Sequence, residues 1–307
     1  MRNAFADEIA ALAGENDRLV LLSGDIGNKL FDNFKKAGDR RFFNCGVAES
    51  NMMGVAAGMA LSGLRPVVYT IAPFTTTRCF EQIRVDACYH KAPVVIVGTG
   101  SGLSYAELGP THHSLEDMAI LRTLPGMRVL APCDAIELRL ALRAALHEDG
   151  PVYIRIGKKG EPLIHAQAPE FHIGKGIVVR HGTDVTLISA GTIMAEVLNA
   201  ADLLGAQGVS AEVVSFHSVK PLDHAYLEQA CGRFRLFATI EEHSRIGGLG
   251  GAVAEWKAAR RNAPIQLSFG VDDAFMHEVG TQDYARAKYG LTARNIAGTI
   301  LTTLNTF

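Results

Sequence analysis

Short apolar segments rich in β-branched residues alternate along this chain with longer segments of helical periodicity. This order is typical of βαβ units, in which helices cover both faces of a parallel sheet. The solidly apolar stretch at 94–97 suits a strand that is buried on both faces. The strands predicted in the first half of the chain are 19–22, 42–45, 66–71, 93–97, 128–131 and 152–156, and the amphipathic segments 78–89 and 135–146 lie between them.

The alternation is interrupted after Ile156 by a turn that contains Gly157, Gly160 and Pro162, and it resumes near Asp184. This interruption predicts two α/β domains with largely parallel sheets, at residues 1–165 and 166–307. The strands predicted in the second domain are 185–189, 211–215, 236–240 and 265–269, and the predicted helices are 193–204, 223–230 and 249–259.

Charge and cysteine content narrow the functional class. The 307 residues include 30 basic and 32 acidic side chains, a balance that argues against a nucleic-acid-binding protein. No apolar run reaches the roughly 20 residues needed to span a bilayer, and the N-terminus does not resemble a signal peptide. The five cysteines are widely spaced and contain no C-x-x-C pair, so we expect reduced thiols, no metal site and a cytoplasmic protein.

Two glycine-rich segments follow predicted strands. The segment 98–102 lacks the sixth-position glycine of a dinucleotide fingerprint, because Leu103 stands there, and a tight turn that lines a pocket is the better interpretation. The segment 247–251 precedes a predicted helix. Its glycines would allow either anion binding at the helix N-terminus or close packing against another backbone, and the sequence leaves both open.

The segment 46–60 predicts a helix with a face of unusually small residues, since Gly54 and Gly58 are four residues apart and therefore share a face. Small residues lower helix propensity, which makes sense if another backbone packs closely, for instance across a subunit interface. Glu49 falls in the first turn. Its charge suits the helix dipole, and it could instead face an apolar pocket and hydrogen-bond a ligand nitrogen.

Adjacent histidines at His112 and His113 stand on a loop before a predicted helix start. One could cap the helix while the other points into a cleft, where His112 would contact substrate or transfer a proton. Glu116 alone is weak support for a metal site. His217 and His243, near strand ends, are interpreted as structural.

Four segments taken in order resemble the C-terminal half of transketolase, and the resemblance covers essentially the whole chain. They read G-V-A-E-S-N-M at 46–52, F-E-Q-I-R at 80–84, G-P-T-H-H at 109–113 followed by L-E-D at 115–117, and V-K-P-L-D at 219–223. The resemblance implies a pyrimidine-binding domain followed by a transketolase C-terminal domain, and transfer of a two-carbon ketol unit with thiamine diphosphate.

The resemblance also implies roles for individual residues. The glutamate that matches Glu49 hydrogen-bonds the aminopyrimidine ring nitrogen of the cofactor, which makes Glu49 a catalytic as well as a cofactor-binding candidate. His112 is the second catalytic candidate. The other implied cofactor-binding residues are Ile71, Phe74 and Phe80, and the implied substrate-binding residues are His112, His113, Arg155 and Lys158.

The family's diphosphate motif, a GDG followed some residues later by an asparagine, is not found in this sequence; Gly24-Asp25-Ile26-Gly27 is a different pattern. The resemblance therefore implies the smaller subunit of a split transketolase. A separate N-terminal-type subunit would hold the diphosphate and its Mg²⁺ or Ca²⁺, and two such pairs would form a dimer of heterodimers that acts on sugars or sugar phosphates.

Four positions depart from the family pattern. A histidine that is common in the family near Thr99 and Gly100 is missing here. Ile71 stands where an aromatic ring usually stacks on the pyrimidine, Leu108 where an aspartate recognises a sugar hydroxyl, and Lys158 where an arginine binds substrate phosphate. These departures predict an unusual donor or acceptor in a specialised carbohydrate pathway. The alternatives are the β-subunit of a 2-oxo-acid dehydrogenase, a deoxyxylulose-phosphate-synthase-like activity, and a non-catalytic regulatory subunit of the same fold.

Overall fold

Seven strands form the first sheet of the computed structural model, which describes residues 1–27, 29–38 and 40–306. The spatial order is β10-β5-β6-β4-β3-β1-β2, and every pair is parallel except β10 with β5. The strands are β1 (Leu19–Ser23), β2 (Phe42–Asn44), β3 (Arg65–Ile71), β4 (Val95–Thr99), β5 (Arg128–Leu130), β6 (Val152–Ile156) and β10 (Ser218–Lys220).

Helices cover both faces of this sheet, as its continuous apolar strands require. They are α1 (Arg2–Glu15), α2 (Asp32–Ala37), α3 (Glu49–Leu61), α4 (Ala72–Thr75), α5 (Phe80–Gln82), α6 (Asp117–Arg122) and α7 (Ala135–Ala145). One apolar cluster buries α3 against the sheet, and another buries α1 and α7. The two clusters hold these helices against the sheet, and α3 begins at one edge of it.

The second sheet has the order β12-β11-β8-β9-β7, and only β7 runs antiparallel to its neighbour. Its strands are β7 (Ile177–Arg180), β8 (Val185–Ala190), β9 (Ala211–Ser215), β11 (Leu236–Ser244) and β12 (Ile265–Val271). Its helices are α8 (Met194–Gly205), α9 (His224–Cys231), α10 (Leu249–Ala258), α11 (Gln282–Lys288) and α12 (Ala293–Leu304). The prediction of two largely parallel α/β sheets is confirmed.

The two halves of the chain share an apolar core, and the second half contributes a strand to the first sheet. Strand β10 comes after β9 in the chain, yet it pairs with β5 of the first sheet, Ser218 opposite Leu130. A single apolar cluster joins Ile96 of the first sheet to Ile188 and Val214 of the second. The predicted boundary at residue 165 stays a prediction, because side chains on both sides of it pack together.

The segment 78–89 differs from the α-helical pattern that its sequence predicts. It forms a 3₁₀ turn (Thr77–Cys79), the short α5 and then a π-helix (Ile83–Tyr89). Buried positions recur every four residues at Cys79, Ile83 and Ala87, a spacing wider than the 3.6 residues of an α-turn. The wider winding keeps these three side chains on the face that meets the core.

Candidate active site

Glu49 is the first residue of α3 and lies at the carboxyl edge of the first sheet. This edge is where open α/β sheets bind ligands. Its neighbours are the loop after β1 and the end of β3: a Cβ placed on Gly24 would lie 3.1 Å from the Thr70 Cβ and 3.3 Å from the Glu49 Cγ. The backbone at Gly24 therefore packs tightly against Thr70 and Glu49, and only 3% of the Glu49 surface is exposed.

Arg78 pairs with this buried carboxylate. Its Nη1 donates a 2.7 Å hydrogen bond to Glu49 Oε1, while 42% of the arginine side chain remains exposed. Glu49 also affects the neighbouring thiol of Cys79. Burial, and to a smaller extent Glu49, raise the pKa of Cys79 to about 12, whereas Arg78 lowers it. Glu49 is thus a buried carboxylate whose ion-pair partner reaches it from the surface.

A continuous row of side chains leads outward from Glu49. The Arg78 guanidinium lies over the Phe74 ring at 4.0 Å, and Phe74 meets His112 edge-on at 5.3 Å between ring centroids. His112 then contacts Tyr105 at 6.0 Å, and Lys158 lies over the Tyr105 ring at 4.6 Å. We call this row the rim; its members are Glu49, Arg78, Phe74, His112, Tyr105 and Lys158.

The rim unites four residues that the sequence singled out, Glu49, Phe74, His112 and Lys158, from four separate segments. Lys158 also forms an ion pair with Glu107. Sequence reasoning missed Arg78 and Tyr105. The available signal for Arg78 was its position four residues after Phe74, a spacing that brings side chains together on a helical segment.

The two histidines occupy different environments. His112 is partly exposed and shares a 2.9 Å hydrogen bond with the Thr111 hydroxyl through Nδ1; burial and then the charge of Arg78 lower its pKa. His113 is buried, and burial lowers its pKa more than the nearby Ala106 carbonyl raises it. Both rings are therefore neutral near pH 7, and His112 is the one placed on the rim.

Arg155 lies away from the rim, at the junction of the two domains. Its side chain is 2% exposed; Nε donates to Asp117 Oδ2 at 2.8 Å, and Nη2 donates to the carbonyls of Ser114 and Glu242. This placement argues against the expected contact with substrate, because the guanidinium already satisfies buried acceptors of both domains.

The remaining cofactor-binding candidates border the site without joining the rim. Ile71 is the buried last residue of β3, one position after Thr70. Phe80 is partly buried and packs against the apolar cluster beneath α3. Ile71 thus lies at the same carboxyl edge of the sheet as Glu49, whereas Phe80 supports the segment that carries Arg78.

The glycine-rich segments serve contacts within the chain. The backbone N–H groups of Leu249 and Gly250, at the start of α10, bind the carboxylate of Glu241 at 2.7 and 2.8 Å. A Cβ at Gly248 would lie 2.1 Å from that carboxylate. The anion at this helix N-terminus is therefore the chain's own side chain. A Cβ at Gly102 would likewise meet Glu242 at 2.5 Å, so the predicted tight turn packs across the domain junction.

A second polar cluster lies at the same junction. The Cys133 sulfur, a Glu137 oxygen and a His165 nitrogen lie within 4.8 Å of one another, close enough to ligate one cation. Hydrogen bonds occupy the Glu137 carboxylate in this structure, from the backbone of Cys133, the Ser215 hydroxyl and the His165 ring at 2.8 to 3.0 Å. The cluster is a hydrogen-bonded connection between the linker and both domains.

No helix among the described residues is long and apolar enough to cross a membrane. Three large apolar side chains in or just before α3 are exposed. Val47, which precedes α3, is 76% exposed, and Val55 and Leu61 within α3 are 40% and 58% exposed, so none of the three is covered by the sheet. Large exposed apolar side chains can contribute to an interaction surface.

Comparison with known proteins places both halves of the chain. Residues 1–161 match the family described as "Transketolase, pyrimidine binding domain", and residues 174–296 match "Transketolase, C-terminal domain".

Two relatives are similar over almost the whole chain. The 6-deoxy-6-sulfo-D-fructose transketolase subunit SqwH of Clostridium sp. strain MSTE9 is 38% identical, with 96% of this chain and 92% of that protein covered. A subunit of the apulose-4-phosphate transketolase of Phocaeicola vulgatus is 35% identical, with 98% and 96% covered. A solved structure described as a split-gene transketolase, inactive β4 tetramer, is 38% identical with a TM-score of 0.91, and 99% and 98% of the two chains are covered.

Proposed function

The chain belongs to the transketolase family, and we propose that it is the C-terminal-type subunit of a split transketolase, which transfers a two-carbon ketol unit between sugars or sugar phosphates with thiamine diphosphate. The observation that carries this proposal is the rim, which begins at a buried carboxylate and ends at a partly exposed lysine. The similarity to subunits of split transketolases supports it.

The residues beside Glu49 fit an aminopyrimidine ring. The Thr70 hydroxyl is buried and has no hydrogen-bond partner among the described residues, and it lies beside Gly24 near the Glu49 side chain. A carboxylate, a free hydroxyl and the apolar Ile71 are the groups that a flat, partly polar ring requires. Glu49 would form a hydrogen bond with the ring nitrogen, while Ile71 and Phe74 would pack against the ring.

Thiamine diphosphate supplies the carbanion-stabilising chemistry when it is bound. Within this chain, Glu49 would share a proton with the pyrimidine ring nitrogen and orient the ring. His112 would use Nε2 toward a substrate hydroxyl, because Nδ1 is engaged by Thr111 and the neutral ring can accept or donate one hydrogen bond. When substrate binds, Lys158 would leave its ion pair with Glu107 and pair with an anionic group of the substrate.

A partner subunit would supply the diphosphate and metal sites. The exposed apolar side chains Val47, Val55 and Leu61 support this part of the proposal, since Val55 and Leu61 lie on the helix that begins at Glu49. A second subunit that packed on them would lie close to the carboxylate. The relatives named for 6-deoxy-6-sulfo-D-fructose and apulose-4-phosphate support an acceptor or donor outside the common pentose phosphates.

The test is reconstitution. We expect this chain, co-expressed with a subunit that carries the diphosphate motif, to transfer ketol units when thiamine diphosphate and Mg²⁺ are added, and neither subunit to do so alone. Glu49→Gln should lower turnover by at least about 100-fold, whereas Glu81→Gln, at an exposed position nearby, should not. Full activity of Glu49→Gln would contradict the proposed role.

A further inference from the structure

The two side chains of the Glu49–Arg78 pair differ in solvent exposure, and ketol transfer alone does not explain this difference. Glu49 is fixed at a helix start and is 3% exposed, whereas the Arg78 side chain reaches in from the surface and stays 42% exposed. A buried carboxylate without a partner would be costly, so the pair satisfies it. The same carboxylate is the group that the proposed function assigns to the pyrimidine ring nitrogen.

Arg78 has a second contact that does not depend on Glu49. Its guanidinium lies 4.0 Å from the centroid of the Phe74 ring, a cation–π distance. Its backbone carbonyl accepts a 3.1 Å hydrogen bond from the Ser50 hydroxyl, which ties the arginine's segment to the start of α3. The side chain can therefore release the carboxylate while its backbone and the aromatic contact stay in place.

We propose that Arg78 is a positioning residue that occupies Glu49 in the isolated chain and gives up Oε1 when an aminopyrimidine ring enters the site. The arginine and the ring nitrogen compete for one buried carboxylate. The affinity of the assembled site for the cofactor is then reduced by the fraction of molecules in which Arg78 still holds Glu49. The second half of this inference rests on the proposed function; the pairing itself does not.

The first test is a double-mutant cycle on the chain alone, with Arg78→Met, Glu49→Gln and the double variant unfolded in urea. We expect coupling of at least about tenfold in the unfolding equilibrium constant, which corresponds to 1.4 kcal/mol. Arg84→Met with Glu81→Gln is the matched control, since this pair has the same chemistry but both side chains are more than half exposed. Coupling no larger than in the control would overturn the inference.

The second test measures thiamine diphosphate affinity of the assembled protein by calorimetry. We expect Arg78→Met to lower the Kd about 3- to 10-fold, because the competing cation is gone, and Arg78→Lys to lower it less. A Kd that is unchanged or higher in Arg78→Met would refute the competition. The Glu49→Gln variant separates failure of the proposed function from failure of the competition. Wild-type cofactor affinity and turnover in that variant would contradict the proposed function. The double-mutant cycle on the chain alone would still show whether Arg78 and Glu49 are coupled.

Discussion

Asp117 and Arg155 form an ion pair of 2.8 Å in which both side chains are at least 98% shielded from solvent. Although burial opposes its ionisation, the charges of Arg155 and then His243 lower the pKa of Asp117. Because Arg155 also donates to the carbonyl of Glu242, the pair joins the first domain to the second.

Loss of this arginine should destabilise the whole chain. We expect Arg155→Met to reduce the free energy of unfolding by about 3–5 kcal/mol, because it leaves the buried Asp117 charge without its partner. Urea unfolding followed by far-UV circular dichroism measures the change. Arg84→Met, which removes an exposed pair with Glu81, is the control and should cost less than about 1 kcal/mol. Equal losses in the two variants would show that the junction does not depend on Arg155.

Cofactor binding should require the second subunit. We expect calorimetry to show weak or no binding of thiamine diphosphate to this chain alone and stoichiometric binding after the partner is added, because Glu49, Ile71 and Phe74 can hold only the pyrimidine end. Tight stoichiometric binding by the chain alone would contradict the split arrangement.

His112 should influence substrate rather than stability. In the assembled enzyme we expect His112→Ala to raise KM, lower kcat, or both, by about 10- to 100-fold in kcat/KM, since a hydrogen bond to substrate is lost. His172→Ala is the control, because His172 is 65% exposed and pairs with Glu170 in the linker, away from the rim. Unchanged kinetics for His112→Ala would limit that residue to supporting its loop.

Lys158 should discriminate substrates by charge. We expect Lys158→Ala to raise KM for a phosphorylated substrate about tenfold or more and to leave KM for the uncharged sugar nearly unchanged, because a point charge that faces the anionic group is removed. Lys159→Ala, at the exposed neighbouring position, is the matched control. Equal effects on charged and uncharged substrates would argue against this role.

The His165–Glu137 contact should make stability depend on pH. Burial opposes a charge on His165, yet the hydrogen bond and charge of Glu137, and then the charge of Asp134, raise its pKa above the ordinary value. A group with a higher pKa in the folded chain stabilises the fold fully below its unfolded pKa, and this contribution is lost as pH rises through the folded pKa.

We therefore expect the difference in unfolding free energy between wild type and His165→Gln to be largest near pH 5.5, below the ordinary histidine pKa of about 6.5, and to shrink toward pH 9. Urea titrations at both pH values measure it. Burial lowers the pKa of the nearby His217, which acts in the opposite sense in both proteins. A difference that grows toward pH 9 would contradict the assignment.

The central strands could be predicted because burial on both faces favours runs of apolar residues, of which the stretch 94–97 is the clearest. The edge strands β7 and β10 could not. Each is short, and each depends on a distant partner, as Ser218 depends on Leu130. The π-helix was missed because its spacing of buried residues differs from that of an α-helix by less than one residue per turn.

The residues of the candidate site likewise divide into those that could be predicted from the sequence and those that could not. Glu49 could be found because its segment is distinctive, and His112 because adjacent histidines on a loop are unusual. Arg78 and Tyr105 could not, since their importance comes only from what they contact in the folded chain. Arg155 was assigned to substrate because a sequence does not reveal that a charge is buried; Asp117, its partner, is 38 residues away.

Strand β10 has a consequence for how this protein can be divided. A fragment cut at the linker would lose the strand that pairs with Arg128–Leu130, and would expose an unprotected sheet margin together with the apolar surface shared by the two halves. The halves should therefore aggregate as separate pieces, so that insertions and fusions are tolerated at the surface loops but not at the apparent boundary.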